Sequence, residues 1–364
     1  MDFINPTKIK VFGVGGGGCN AVNRMYLDGI ENVELYALNT DIQHLSTLAV
    51  PNKLQIGEKI TRGLGAGAKP EMGEQAALED LDKIKEILRD TDMLFIAVGL
   101  GGGTGTGAAP VIAQAAKEMN ILTVCVCTKP FNFEGPRRAQ VAEEGLQKIK
   151  DVCDTYIVIH NQRLHDIADR NLTIGNAFRM VDDILSQAVR GITSIVATPA
   201  LINVDFADVK TVMQDGGLSL IGIGTSKNSD KIDVAVEQAM HSPLLEGNSI
   251  KGSKRLMVTL WINQDTPFTE IESSIAKIRE EADENALIIF GAVMLGENES
   301  QNAKVAIVAT DFEENVKAQQ GMKIIKSQDR EKDMKKEERP RTISEVQPQE
   351  PDELPAYLRR KRKI

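Results

Sequence analysis

The chain has 364 residues, a net charge of −9 and a hydrophobic fraction of 42%. That length suggests two domains at roughly 150 residues each, and the acidic balance, with no basic face, argues against general nucleic-acid binding. The opening "MDFINPTKIK" lacks the regions of a signal peptide and no apolar run nears the roughly 20 residues that span a bilayer, so a cytoplasmic protein without a transmembrane segment is expected.

The first half alternates between two textures. "KIKVFGV" (Lys8–Val14) is an apolar, β-branched strand; the glycine cluster "GVGGGG" (Gly13–Gly18) follows, then the helical "CNAVNRMYLDG". Val33–Asn39 is a second strand and Met93–Gly99 a third, the latter leading into "GGGTGTG" (Gly101–Gly107) and the helical "AAPVIAQAAKEM". Ile121–Thr128 and Tyr156–His160 complete the set. Strands apolar almost throughout, separated by helices, predict a doubly wound parallel sheet covered on both faces, an α/β domain over residues 1–172. Cys125 and Cys127 sit in the strand "ILTVCVCT" with no His or Cys cluster at zinc spacing, and read as buried hydrophobes in a reducing compartment.

From Thr173 the pattern changes. Ile174, Ala177, Phe178, Val181, Leu185, Ala188, Ile192 and Ile195 recur on one helix face, with Thr173 as N-cap, and predict a long connecting helix over 173–197. "INVDF", "RLMVTLWIN", a helical segment near Phe268–Glu284, "ALIIFGAVML" and "AKVAIVAT" then outline a smaller α+β domain over 198–311. Residues 312–350 are charged and polar without aromatics, the composition of a disordered linker with an end-to-end distance of roughly 35 Å. Apolar residues return beside a basic run in 351–364, "PDELPAYLRRKRKI".

Both glycine clusters fall between a strand and a helix, where a doubly wound sheet presents its ligand crevice. Glycine lets the backbone approach a ligand, and free N–H groups at a helix start favour an anion. A flexible linker would not be framed by buried strands, and two such loops imply a phosphate chain. Gly13, Gly15 and Gly18 also satisfy G-x-G-x-x-G, so an NAD(P)-dependent dehydrogenase is an alternative. Five glycines in six positions match many templates, however, and a Rossmann domain has no use for the second loop. A P-loop is excluded, because the chain contains no Gly-Lys dipeptide.

"GGGTGTG" resembles the signature loop of the tubulin/FtsZ family. "GVGGGGCNAVNRM", "TRGLGAGAKPEMG", "GGGTGTGAAPVIAQ", "TKPFNFEGPRR" and "LINVDFADVKTVM" match that family in order and spacing over about Lys8–Asp311, and "DELPAYLRRKRK" resembles its C-terminal recognition peptide. The resemblance implies a GTPase that binds GTP or GDP with Mg²⁺. It assigns Gly16, Gly17, Gly18, Cys19 and Asn20 to nucleotide contact, and Gly103, Thr104 and Gly105 to the phosphates. Ala66, Gly67 and Ala68 would sense the γ-phosphate. Glu134 and Arg138 would lie near ribose and phosphates, Asn161 and Asp182 would read the base, and Phe178 would stack on it. A carboxylate accepts two parallel hydrogen bonds from guanine but not from adenine, which suits Asp182; on pattern alone a solvated helix carboxylate is the better reading.

The nucleotide loops offer no general base. The resemblance supplies it from the next subunit, through Asn203, Asp205 and Asp208 of "NVDFADVK", with the Asp pair orienting the attacking water. The residues themselves equally suggest a helix start, with Asp205 as N-cap and Asp208 at N3. A contact that repeats head to tail without closing gives a filament, and the resemblance implies that this filament forms the cell-division ring beneath the membrane at mid-cell. Residues 351–364 would dock on membrane-tethering adaptors; attraction of Arg359–Lys363 to anionic lipid, about 1 kcal/mol per basic residue, ranks below that. A tubulin-like polymer with another purpose and a scaffold without turnover are the remaining alternatives. Three positions depart from the family pattern: Cys19 where Asn is frequent, Pro136 where a basic residue is usual, and His160 where Pro is common. The first would either weaken a nucleotide contact or leave a thiol at the site open to oxidation.

Overall fold

The structure is a computed structural model and describes residues 7–167, 172–197, 201–202, 204–227, 232–242, 250–295 and 301–312. Asn203, the expected linker from residue 313 and the peptide 351–364 lie outside the described residues. The chain starts with β1 (Ile9–Val14), α1 (Gly15–Leu27), β2 (Glu34–Asn39), α2 (Ile42–Thr47) and β3 (Asn52–Gln55). Three helices, α3 (Glu58–Thr61), α4 (Pro70–Glu79) and α5 (Leu81–Leu88), lead to β4 (Met93–Gly99). There follow α6 (Thr104–Glu118), β5 (Leu122–Lys129), α7 (Pro136–Val152), β6 (Thr155–His160), α8 (Asn161–Ile167) and the long α9 (Ile174–Ala197). The remainder is α10 (Phe206–Met213), β7 (Gly217–Lys227), α11 (Ile232–Met240), β8 (Ser253–Ile262), α12 (Phe268–Glu281), β9 (Leu287–Met294) and β10 (Gln301–Phe312).

The described strands form one sheet in the order β3-β2-β1-β4-β5-β6-β7-β10-β8-β9. β3 through β7 pair in parallel, and β10 enters antiparallel between β7 and β8. The chain moves outward from β1 to β3 and then crosses back to β4, so the order reverses between β1 and β4. Ligands of open α/β sheets bind at such a switch point, beyond the carboxyl ends of the strands. The register pairs Val14 with Val98, which brings both glycine clusters to that same edge.

One face of the sheet packs on α1 and α9. Its apolar cluster takes Val11 and Phe95 from one end of the sheet, Val181, Leu185 and Ile192 from α9, and Met257 and Val308 from the other end. The opposite face is covered by α4, α5, α6 and α7, through Ala76, Ile84, Ile112 and Leu146. α11 and α12 build a third cluster on β8 and β10, with Val236, Ile278, Leu256 and Val305. The α12 helix stops at Glu281, short of the expected Glu284. There the Asp283 amide donates to the Ser253 carbonyl at 3.3 Å and turns the chain into β9. No helix among the described residues is long and apolar enough to cross a membrane.

Candidate nucleotide site

β1 runs into α1 without an intervening loop. Gly15, the first helical residue, sits at φ +71°, the left-handed region that an L side chain enters only with strain. A methyl group there would stand 2.7 Å from the Gly105 amide nitrogen. The starts of α1 and α6 therefore meet side by side. Neither helix has a side-chain N-cap and neither carries an acidic residue in its first turn. Their leading N–H groups are left to an external acceptor, and two macrodipole ends of about +0.5 charge each converge on one spot. Gly18 is held against the Ala97 carbonyl, whereas Gly16 and Gly17 are exposed and Gly16 has no atom within 4 Å of where a methyl would be.

Two further segments border this cradle. A methyl on Gly103 would be 2.8 Å from both the Ala66 Cβ and the Lys69 amide nitrogen, so the Ala66–Lys69 loop lies on the second glycine loop. Gly67 and Ala68 are exposed and both hold φ near +58°. For Ala68 that conformation costs roughly 1–2 kcal/mol. On another side the Arg138 side chain crosses Gly101, its Cγ 2.7 Å from a methyl placed there. Glu134 pairs with Arg138 at 3.0 Å and accepts the Phe131 amide at 2.9 Å. Pro136 is the first residue of α7, where its fixed φ suits a helix start. That accounts for one departure from the family pattern.

The remaining predicted residues lie on β6, α8 and α9. Asn161 opens α8 directly after β6; it is 4% exposed and its Oδ1 has no hydrogen-bond partner. A buried orphan acceptor of this kind fits a ligand donor. Phe178, 39% exposed, stands edge-on to Phe131 at 5.4 Å and to Phe133 at 6.4 Å. Asp182 is one turn further along α9, and burial together with the Asp183 charge pushes its carboxyl up to about 7, against the pull of Arg24. Arg24 itself is bonded to Asp183 at 3.0 Å and Asp28 at 3.1 Å. The Cys19 thiol points into the core, bonded to the Gly13 and Leu38 carbonyls, and burial pushes it up to about 12. It is not a reactive thiol, contrary to the expectation of an oxidisable site.

Asp205 and Asp208 sit elsewhere. Asp205 N-caps α10, its Oδ1 accepting the Asp208 amide at 2.8 Å. The far end of α10 is tied to the first residue of β6 by the bond from Thr155 Oγ1 to the Met213 carbonyl, 2.5 Å. Asn161 follows the last residue of that same strand. α9, at 24 residues about 36 Å long, carries the chain from Phe178 and Asp182 toward Asp205.

Three side chains at the site escaped the motif reading. Thr40 Oγ1 lies 2.6 Å from Thr104 Oγ1, and Asn39 and His44 connect to Asn20. Asn39 and Thr40 had a signal in "NTD", polar residues at the end of β2 and at the same edge of the sheet as the glycines; His44, further on in α2, had none.

The family description "Tubulin/FtsZ family, GTPase domain" matches residues 8–169, and "FtsZ family, C-terminal domain" matches residues 217–313. The chain is 61% identical to the cell division protein FtsZ of Aquifex aeolicus over 368 residues, covering 100% of this chain and 99% of that one. The chain belongs to the FtsZ family. Cell division protein FtsZ 1 of Archaeoglobus fulgidus is 48% identical over 302 residues, 83% of this chain and 82% of that one. Among solved structures, the empty FtsZ dimer of M. jannaschii superposes with a TM-score of 0.80 at 42% identity, over 84% of this chain and 89% of its own. CetZ1 of Haloferax volcanii, GDP-bound, has a TM-score of 0.72 at 20% identity over 85% and 96%, and speaks for the fold alone. As an FtsZ-family protein the chain is a polymerising, tubulin-like GTPase of cell division that binds GTP and GDP.

Proposed function

We propose that GTP binds across the α1 and α6 starts and is hydrolysed only when a second copy of the chain brings its α10 aspartates to the γ-phosphate. The observation that carries this is the separation of the two halves of the site. The cradle lies beyond the ends of β1 and β4, while the helix capped by Asp205 is anchored at the start of β6. Met213, which makes that anchor, is at the opposite end of α10 from Asp205; α9 rises about 22 Å from Asp182 to Ala197 before the chain reaches the Asp205 loop, which favours a carboxylate supplied by another copy.

In this reading the N–H groups of Gly16, Gly17, Gly18 and Cys19 and those of Gly103, Thr104 and Gly105 hold the phosphates. Ala66, Gly67 and Ala68 close over the γ-phosphate, with Glu134 and Arg138 at the ribose and phosphates. Phe178 stacks on guanine; Asn161 Oδ1 and Asp182 accept its N–H groups, and Asn20 completes the nucleoside contact. Asp205 and Asp208 of the next copy, with Asn203, orient the water. Among the described residues no group of three or more His, Cys, Asp or Glu is placed to hold a metal, which suits Mg²⁺ arriving on the phosphates with most of its water shell. The phosphates held by the two glycine loops would carry the ion, which would supply neutralisation of their charge.

The chain then divides into a nucleotide half (1–172), a connecting helix (173–197), a half bearing the catalytic loop (198–311), a spacer (312–350) and a docking peptide (351–364). Head-to-tail repetition gives a filament at the cytoplasmic face of mid-cell, held there by adaptors that take the apolar and basic peptide. Deleting Leu354–Ile364 should leave turnover intact and abolish recruitment. The decisive experiment is phosphate release from GTP against protein concentration, with ATP as control. Turnover per subunit that is negligible when dilute and rises above a threshold supports the shared site; turnover independent of concentration rejects it.

A further inference from the structure

We infer that His44 is a positioning residue for the nucleotide: it holds Asn20 so that this side chain presents only hydrogen-bond donors to the bound nucleoside. The inference rests on the proposed contact between Asn20 and the nucleotide. It follows from a hydrogen-bond chain whose direction is set by the backbone. Asn39 Oδ1 accepts the amides of Thr40 at 2.9 Å and Asp41 at 3.4 Å. Backbone N–H groups can only donate, so the oxygen end of the Asn39 amide is identified and its Nδ2 is the end facing His44 Nδ1, at 3.0 Å.

Nδ2 carries hydrogens and no acceptor pair. His44 Nδ1 must then be the lone-pair nitrogen, which puts the proton of the neutral ring on Nε2. Nε2 lies 2.9 Å from Asn20 Oδ1 and donates to it. With its oxygen turned to His44, Asn20 offers its NH₂ edge to a ligand. The complementary atom on the nucleoside is an acceptor, a ring nitrogen or a ribose oxygen, and not an amino or imino group. The ring is also held from its own backbone, since the His44 amide donates to the capping Asp41 carboxylate at 3.1 Å. The same segment reaches the second glycine loop through Thr40 and Thr104, 2.6 Å apart. Residues 39–44 thereby fix the first loop relative to the second.

The test is the affinity for a fluorescent GDP analogue, with a thermal melt of each nucleotide-free protein. GDP keeps the nucleoside contacts and avoids turnover. Asn20→Ala and His44→Ala should each weaken binding, about three- to tenfold for one hydrogen bond, with melting unchanged. The double variant should be no weaker than Asn20→Ala, because His44 acts only through Asn20. Asn20→Asp, which still accepts from His44 but donates nothing, should bind at least as poorly as Asn20→Ala. His44→Gln, which can still donate, should stay within about twofold of the unaltered protein. Wild-type affinity in His44→Ala, or a loss that persists in the Asn20→Ala background, overturns the inference while leaving the nucleotide site standing. Wild-type affinity in Asn20→Ala removes the Asn20 contact itself, and the inference with it.

Discussion

Gly15 and Gly105 approach so closely that a methyl on the first would lie 2.7 Å from the amide nitrogen of the second, which joins the two helix starts backbone to backbone. This contact separates glycines that build the cradle from those that face its ligand. A methyl on Gly105 would stand 2.8 Å from Val98 Cγ2, 3.0 Å from the Val14 carbonyl oxygen and 3.2 Å from that of Gly99. Gly105→Ala should lose about 1–3 kcal/mol of stability through overpacking, along with GTP binding. Gly16→Ala meets no atom within 4 Å and should melt with the unaltered protein yet bind GTP more weakly. Thermal melts with and without GDP separate the two, and full GDP binding by Gly16→Ala would remove Gly16 from the site.

In the proposed site Asp182 should make nucleotide binding pH-dependent. Burial and the neighbouring Asp183 charge hold its carboxyl at about 7 in the folded chain, against an ordinary 3.8. A carboxyl raised on folding takes up protons more readily when native, so stability declines as pH rises from about 4 to about 7. Guanine needs the carboxylate form, so GDP affinity should rise over the same window and level off above it. Binding near pH 6 should release a proton, measurable by calorimetry in buffers of different ionisation enthalpy. Asp182→Asn should abolish that component, leaving only the titration of the phosphates, and should stabilise the nucleotide-free protein by roughly 1–3 kcal/mol above pH 7.

Much of this was legible locally. The strands at Lys8–Val14, Met93–Gly99 and Ile121–Thr128 announce themselves because both their faces are buried, and the glycine clusters stand out as costly residues at strand ends. β7 was missed because "GLSLIGIGTSK" breaks its apolar run with three glycines, one of them, Gly224, pressed against the Ala235 carbonyl of α11. β3 was missed as a short, polar edge strand. The insertion of β10 between β7 and β8 joins residues some eighty positions apart, a pairing that no local periodicity encodes. Asp182 looked like a solvated helix carboxylate because its burial arises only when α9 packs in the fold, and the Arg24 charge that acts on it comes from another helix, α1. The role of His44 was invisible for the same reason: it exists only once α1 and α2 are side by side.

The cap observed at Asp205 and the catalytic role proposed for it can be separated. As N-cap it accepts the Asp208 amide at 2.8 Å, and its loss should cost about 1 kcal/mol. Asp205→Ser keeps a capping oxygen and removes the charge. That variant should melt like the unaltered protein and polymerise with GTP while releasing phosphate at least tenfold more slowly. Asp205→Ala should show the same slow turnover and a lower melting temperature as well. Asp208→Ala should bind GTP normally and hydrolyse it poorly. Normal turnover in Asp205→Ser would make Asp205 a helix cap and nothing more.

The other end of α10 is held by Arg255. Its Nη1 donates to the Thr211 carbonyl at 3.1 Å and the Gln214 carbonyl at 3.0 Å, while Nη2 pairs with Asp311 at 3.0 Å. A guanidinium on the last carbonyls of a helix both satisfies orphan acceptors and opposes the negative end of the dipole. The planar fork reaches two carbonyls and a carboxylate at once, which a lysine ammonium cannot reproduce in the same geometry. α10 is thus fixed at its start by Asp205 and at its finish by Arg255, and Asp205 and Asp208, the aspartates proposed to act on the water, would inherit that rigidity. Arg255→Lys should therefore retain most of the stability and lose part of the turnover at saturating GTP and protein. Arg255→Met, which keeps the apolar stem but no donor, should lose about 1–3 kcal/mol and more turnover than Arg255→Lys. GDP affinity should stay level in both, because the clamp touches nothing in the cradle; a change there would mean that α10 and the nucleotide loops communicate within one subunit.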